Sequence, residues 1–331
     1  MAIRFRVLGE AGRDNALHVE VDSGHAVHRL LFDCGDGCLP QLEPWEVQAI
    51  DHLFFSHFHM DHVAGFDGFF RMNFAREGGN NHIWGPPGTA TILHHRFRSY
   101  LWNLHENLGA TWRVSDIDAE QIRTWRYELP EAFATAHEEA ALLRDGRRIF
   151  EDEDFTVEAM ALDHRTISMA YLVKEKTRWN IDPARLSALG LTPGPWLRAL
   201  KDPAALPDHA PVQGRTAGEL REALLVATPG TSIAYLTDFL LDETAVEKLR
   251  GWLHGCDHLV CESQNRAADL ELARQHHHMT SAQVATLARD AGVGDLVLFH
   301  VSGRYTAAER RGLLDEARAI FPAARFPDTW T

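Results

Sequence analysis

Short runs of alternating apolar and polar residues open the chain, the period expected of strands. Residues 3–9, 16–22 and 27–33 read as three strands, separated by Gly-Glu-Ala-Gly-Arg-Asp and Asp-Ser-Gly-His turns. The pattern then predicts a helix from Val63-Ala64-Gly65-Phe66 to about Arg76, a strand at His82-Ile83-Trp84, a Gly85-Pro86-Pro87-Gly88 turn and an amphipathic helix over 89–106. Residues 107–150 are rich in Glu and Ala, and the pattern there predicts a helix near 117–125 within an insertion. Periodicity returns in strands over 155–162, 168–173, 232–238, 258–263 and 295–300. Four of these apolar runs end in a polar residue suited to chemistry: His164 after Asp163, then Asp238, Glu262 and His300.

Residues 174–212 break the pattern with Arg178-Trp179-Asn180, then Gly190-Leu191-Thr192-Pro193-Gly194-Pro195-Trp196, then Lys201-Asp202-Pro203. Such a stretch is too rich in Pro, Gly and exposed apolar residues for a core element, and long loops of this kind are functional or disordered. The reading is one domain over 1–331 with a flexible arm inserted at 174–212.

With 45% hydrophobic and 24% charged residues among 331, the chain has enough apolar surface for a sizeable core. No apolar run approaches the ~20 residues of a membrane span, and the N-terminus lacks a signal-peptide core; a cytoplasmic protein without membrane contact is expected. Cys34, Cys38, Cys256 and Cys261 form no disulfide framework and read as reduced, packed thiols. Of 20 histidines, His18, His25, His28, His94 and His95 sit in no ligand pattern. The net charge of −14 suits a polyanionic partner only if basic residues are concentrated where it docks. From Lys174 to Asp202 there are six basic and three acidic residues, a balance of +3 that leaves −17 on the remainder.

The densest chemistry is Ser56-His57-Phe58-His59-Met60-Asp61-His62, four metal-binding side chains within six residues. His57 and His59 project to one side of an extended segment, and Asp61 and His62 follow where a helix begins. A strand breaking into a loop and then a helix aims two imidazoles at one cation and a carboxylate plus an imidazole at its neighbour. Nitrogen and oxygen donors without thiolates suit zinc, with manganese or iron as substitutes. Several separated strand ends converging on two cations is what a layered α/β fold provides, a four-layer αββα sandwich with sheets packed face to face.

The H-x-H-x-D-H pattern is similar to that of the metallo-β-lactamase superfamily, and much of the rest resembles ribonuclease Z, the tRNA 3′-processing endonuclease family. The resemblance runs from about residue 3 to about 322 and is weakest at 9–16 and 107–150. It implies that Asp33 supports the ligand loop through an imidazole N–H. It also implies that His164, in His-x-x-x-Ser-x-x-Tyr, is the third ligand of the first metal. Asp238 matches the bridging aspartate, although Thr237 replaces the usual glycine before it and Phe239 follows. Glu262 and His278 match a carboxylate-oriented histidine that protonates the leaving oxygen. His300-Val301-Ser302-Gly303-Arg304-Tyr305 matches the closing motif, with His300 a ligand and Ser302 and Arg304 near the phosphate. The implied sets are His57, His59, His164 and Asp238 on one zinc and Asp61, His62, Asp238 and His300 on the other. Asp61 would orient a bridging water or accept its proton, and the hydroxide formed would attack phosphorus. The arm, with Arg178, Trp179, Gly194, Pro195, Trp196, Arg198 and Lys201, clamps precursor tRNA in a homodimer, as the family does. Two other readings remain open: a dinuclear hydrolase of a small phosphodiester or ester, and a non-catalytic scaffold, against which the filled ligand positions argue.

Overall fold

In the computed structural model, which describes residues 3–330 except His25, Leu104 and Glu106, the apolar runs become two sheets. Met1, Ala2 and His25, and the Leu104 and Glu106 positions of the expected 89–106 helix, lie outside the described residues. The first sheet takes Arg4–Leu8, Ala16–Asp22, Val27–Phe32, His52–Phe54, His82–Gly85, Thr111–Ile117, Gln121–Glu128 and His137–Glu138 in chain order. Its middle, from Val27–Phe32 to Thr111–Ile117, is parallel. The second runs Arg148–Glu151, Phe155–Asp163, Ile167–Glu175, Ser232–Leu236, His258–Glu262, Asp295–Phe299 and Ala324–Arg325, with the last four parallel.

Parallel strands covered on both faces are apolar throughout, and these strands divide their side chains between two cores. Phe32, Phe54, Tyr171, Tyr235, Val260, Val297 and Phe299 pack together between the sheets. The alternate residues Leu31 and Leu53 turn outward onto Phe66, Phe70 and Phe97 of the helices Phe66–Asn73 and Thr89–Phe97. On the other side Leu236, Cys261 and Leu298 meet Leu249, Ala285 and Leu313 of Glu243–Trp252, Ser281–Ala291 and Ala307–Arg318. The result is the αββα sandwich, with interior-facing rings such as Phe32 and Tyr235 meeting at a tilt, 5.7 Å apart, across it.

Two expectations are corrected. Residues 117–125 are not a helix: Thr111–Ile117 and Gln121–Glu128 form an antiparallel hairpin at the side of the first sheet. Trp112, Val114 and Tyr127 pack on the helix-facing core and Ile117 and Ile122 on the core between the sheets, while Arg113 and Arg123 pair with Glu139 and Glu138; with both faces partly buried, no clean two-residue period marks the hairpin. The 89–106 helix stops at Phe97, where Ser99 and Trp102 donate to the carbonyls of Arg96 and Phe97. The four cysteines are buried and free.

The chain divides into two compact units, residues 1–174 with 231–331, and residues 175–230. The smaller unit has its own core of Leu186, Leu200, Ala217, Leu220 and Leu224, with Trp196 packed against it. Helices Pro183–Ala188, Trp196–Leu200 and Ala217–Leu224 surround that core, and Arg178–Ile181 pairs antiparallel with Leu225–Thr228. The Pro- and Gly-rich stretch is therefore partly regular: Asp182 caps its helix by accepting from the Ala184 and Arg185 amides. Trp179, Arg198 and Lys201 are exposed, whereas Arg178 is tied to Glu175 at 2.5 Å.

Candidate metal centre

Every candidate ligand follows a strand or sits in a turn that a strand delivers. His52–Phe54 ends into the loop 55–59, and the helix Met60–Val63 begins there. Two glycines hold this loop against the 33–35 turn: a Cβ on Gly65 would stand 2.4 Å from the Gly35 carbonyl, and one on Gly35 2.6 Å from the Asp61 carbonyl. Hydrogen bonds from the Cys34 amide to His62 and from the Gly65 amide to Cys34 close the crossing. In the second sheet Asp163-His164, Asp238 and His300 follow Phe155–Asp163, Ser232–Leu236 and Asp295–Phe299.

These turns bring the seven predicted ligands into two groups. The donor atoms of His57, His59 and His164 lie within 4.8 Å of one another, as do those of Asp61, His62, Asp238 and His300. Asp238 joins the groups: its Oδ2 is 3.9 Å from His57 Nε2, 3.7 Å from His164 Nε2 and 3.4 Å from His62 Nε2. Its Oδ1 is 3.2 Å from His300 Nδ1. His278 stands beside both, its ring centroid 4.9 Å from that of His164.

Hydrogen bonds on the far side of each ring fix which nitrogen faces inward. His62 Nδ1 donates to Asp33 at 2.8 Å, and His164 Nδ1 to the His277 carbonyl at 2.8 Å. His57 Nδ1 is 3.0 Å from Ser56 Oγ, and His278 Nδ1 donates to Glu262 at 2.9 Å. Asp33 also accepts from the Ser56 amide, the Ser56 hydroxyl and the Tyr235 hydroxyl, all within 2.8 Å. Glu262 accepts from the amides of Asp238 and Met279. Ser302 Oγ accepts from Arg304 Nε at 3.1 Å.

The chemistry fits a divalent cation. His57 Nε2, His62 Nε2 and His300 Nδ1 are buried without a hydrogen bond, which a polar atom tolerates only with some other partner. Their distances to the Asp238 oxygens, 3.9, 3.4 and 3.2 Å, approach the roughly 3.3 Å that separates donors sharing a tetrahedral ion with ~2.0 Å bonds. Burial and neighbouring His62 push the His57 imidazole down to about 2, so it stays neutral and able to bind metal. Burial would also lower His62, but the Asp238 and Asp33 carboxylates raise it well above its usual value. Burial opposes ionisation of Asp238, yet the charges of His300 and His62 hold it well below the carboxylate range. That field favours positive charge between the two groups. Burial pushes the His278 imidazole down against the raising pull of Asp238 and Asp61.

The centre opens into a cavity of about 520 Å³ lined by His59, Asp61, His164, His278 and Arg304, together with Arg165, Thr166, Gln264 and His276. Sequence reasoning had no role for Arg165 or Gln264, nor for Ser56 and Tyr235 behind the ligands. Ser56 had a signal, standing directly before His57. Tyr235 had only its inward place in an alternating strand.

A family model described as a beta-lactamase superfamily domain matches residues 28–148. Ribonuclease Z of Deinococcus radiodurans is 50% identical to the chain over 326 residues, 98% of this chain and 97% of that protein. Ribonuclease Z of Synechococcus sp. (strain WH7803) is 32% identical over 304 residues, 88% and 82% of the two. Among solved structures, the metallo-beta-lactamase fold protein YhfI from Bacillus subtilis aligns with a TM-score of 0.57 and 14% identity, covering 98% of this chain and 96% of that one. The short form of human tRNase Z aligns at 0.53 and 18%, covering 92% and 94%. The sandwich with histidines and aspartates gathered at its strand ends defines a metallo-β-lactamase-fold protein, and the fold of these neighbours agrees. Within that class, the chain belongs to the ribonuclease Z family.

Proposed function

We propose that the chain is a metal-dependent endoribonuclease that removes 3′ trailers from precursor tRNA. The observation that carries this is the pairing of two donor groups sharing Asp238 with a Glu262–His278 pair beside them, on a chain so close to named ribonucleases Z. His57, His59 and His164 would hold one divalent cation, and Asp61, His62 and His300 the other, with Asp238 between; the donor set favours zinc at both. Cations there supply Lewis acidity, which lowers the pKa of water and neutralises charge developing on phosphate.

The side chains do the remainder. Water attacks phosphorus in line and the bond to the 3′-oxygen of the tRNA breaks. Asp61, its Oδ2 3.4 Å from His300 Nε2, orients the attacking water and takes its proton. His278 gives a proton to the departing 3′-oxygen, leaving a 3′-hydroxyl on the tRNA and a 5′-phosphate on the trailer. Glu262 fixes the His278 ring, and the incoming phosphate adds to the carboxylate charges that favour its protonated form. Arg304, held by Ser302, faces the same cavity and suits a phosphate oxygen.

The family reading adds a cytoplasmic homodimer in which the 175–230 unit grips the tRNA body. Exposed Trp179, Arg198 and Lys201 suit base stacking and phosphate contact, while half-buried Trp196 serves the unit's own core. A second reading, hydrolysis of a small phosphodiester, is favoured by the net charge of −14. The test is cleavage of a precursor tRNA with a 3′ trailer beside a small chromogenic phosphodiester. Cleavage of the tRNA after its discriminator position supports the first reading; small-diester hydrolysis without tRNA cleavage supports the second.

A further inference from the structure

We propose that Thr237 is a positioning residue for the metal centre: its hydroxyl holds the Asp238 carboxylate so that Oδ2 faces both donor groups while Oδ1 stays beside His300. This rests on the metal reading of the centre and is independent of the RNA substrate.

The backbone around Asp238 is already fixed. The Asp238 amide donates to Glu262 at 2.5 Å, and the Thr237 carbonyl accepts from Ser168 at 2.9 Å. What the backbone leaves open is rotation of the carboxylate about its last bond, a broad torsion with little intrinsic preference. Thr237 Oγ1 donates to Asp238 Oδ1 at 2.6 Å, the length of a hydrogen bond to an ionised acceptor. Thr237 is 1% exposed and β-branched, which keeps bulk water from that bond and restricts the side chain's rotation. With Oδ1 held by the hydroxyl, Oδ2 faces His57, His164 and His62 at 3.9, 3.7 and 3.4 Å. A quarter-turn of the carboxylate would bring both oxygens out of register with one group or the other. A residue without a hydroxyl at 237 leaves that turn unopposed.

The experiment measures zinc affinity by competition with a chromogenic chelator, for the parent and for Thr237→Ser, Thr237→Ala and Thr237→Val, with thermal unfolding of the chelated proteins alongside. Ser keeps the hydroxyl, Ala removes it together with the methyl, and Val keeps the bulk without it. The expected result is zinc binding weakened about 10-fold or more in Ala and Val, the usual loss for an outer partner of a ligand. Ser should stay within roughly 3-fold of the parent, and chelated Val should unfold close to the parent. Parent-like affinity in Ala or Val overturns the proposal, as does an equal loss in Ser. If Val fails to fold, the Ser and Ala pair decides. A parent that takes up no zinc overturns the metal reading itself, and with it this role. Zinc uptake without tRNA cleavage removes only the substrate assignment and leaves the role of Thr237 to be read from the same titrations.

Discussion

Asp33, Asp238 and His300 each stand just past a strand with φ of 57°, 47° and 50°. That left-handed turn lifts the side chain off the strand end toward the centre, and Asp and His are among the few side chains that adopt it readily. Backbone geometry and ligand chemistry therefore ask for the same residues. His278→Ala should lower tRNA cleavage about 10²–10⁴-fold, the range for a lost proton donor, with metal content unchanged in elemental analysis; near-parental kcat would remove the acid role. Away from the centre, burial holds His52 down at about 3, where its Nδ1 accepts from the Trp84 indole at 3.1 Å. A histidine depressed in the fold leaves the unfolded chain to take up the proton, so stability falls as pH drops below about 6.5 and keeps falling toward 3. His52→Gln removes that dependence. The stability gap between parent and variant, read from urea midpoints, should narrow by roughly 2 kcal/mol between pH 6.5 and 5; a constant gap would contradict it. The candidate ligands clustered at 57–62 could be read from the sequence because they are contiguous. Tyr235 could not, since its hydroxyl reaches Asp33 across 202 residues of sequence.

Elements were legible where one period ruled. The central parallel strands could be read because both faces are buried and their apolar runs are short and bounded. The 111–128 hairpin could not, because Arg113, Asp116, Arg123 and Arg126 interrupt its apolar positions on both faces and its turn uses helix formers. The small unit was obscured for another reason: five fully buried residues make its core, too few to impose a period on 56 residues. At this scale the Gly35–Gly65 crossing fixes where the ligand loop leaves its strand. Gly65→Ala puts a methyl 2.4 Å from the Gly35 carbonyl, and backbone cannot yield as a flexible side chain can. Its cost should be about 1–3 kcal/mol, seen as a lowered unfolding midpoint together with weaker metal retention. An unchanged midpoint would mean that the crossing is looser than its hydrogen bonds suggest.

For the molecule as a whole, each proposed metal takes ligands from both sheets. The first joins His57 and His59 to His164, and the second joins Asp61 and His62 to Asp238 and His300. Bound cations would then tie the two halves of the sandwich and close long loops of chain. Chelation should lower the unfolding temperature, and added zinc should restore it; calorimetry that is indifferent to chelator would argue against a cross-sheet site. Removing 176–229 should spare hydrolysis of a small phosphodiester and abolish cleavage of precursor tRNA. Loss of both would show that the main unit needs the smaller one to fold. The outcome turns on how that unit is spliced in. It leaves after Lys174 and returns before Ser232, which face each other as partners in neighbouring antiparallel strands, and a Cβ on Gly230 would meet the Glu175 carbonyl at 2.2 Å. Entry and exit are a single doorway, so a gene could gain, lose or trade the whole passage at one hairpin without redrawing the host. If that unit grips the substrate as proposed, substrate range would be a cassette separable from the chemistry.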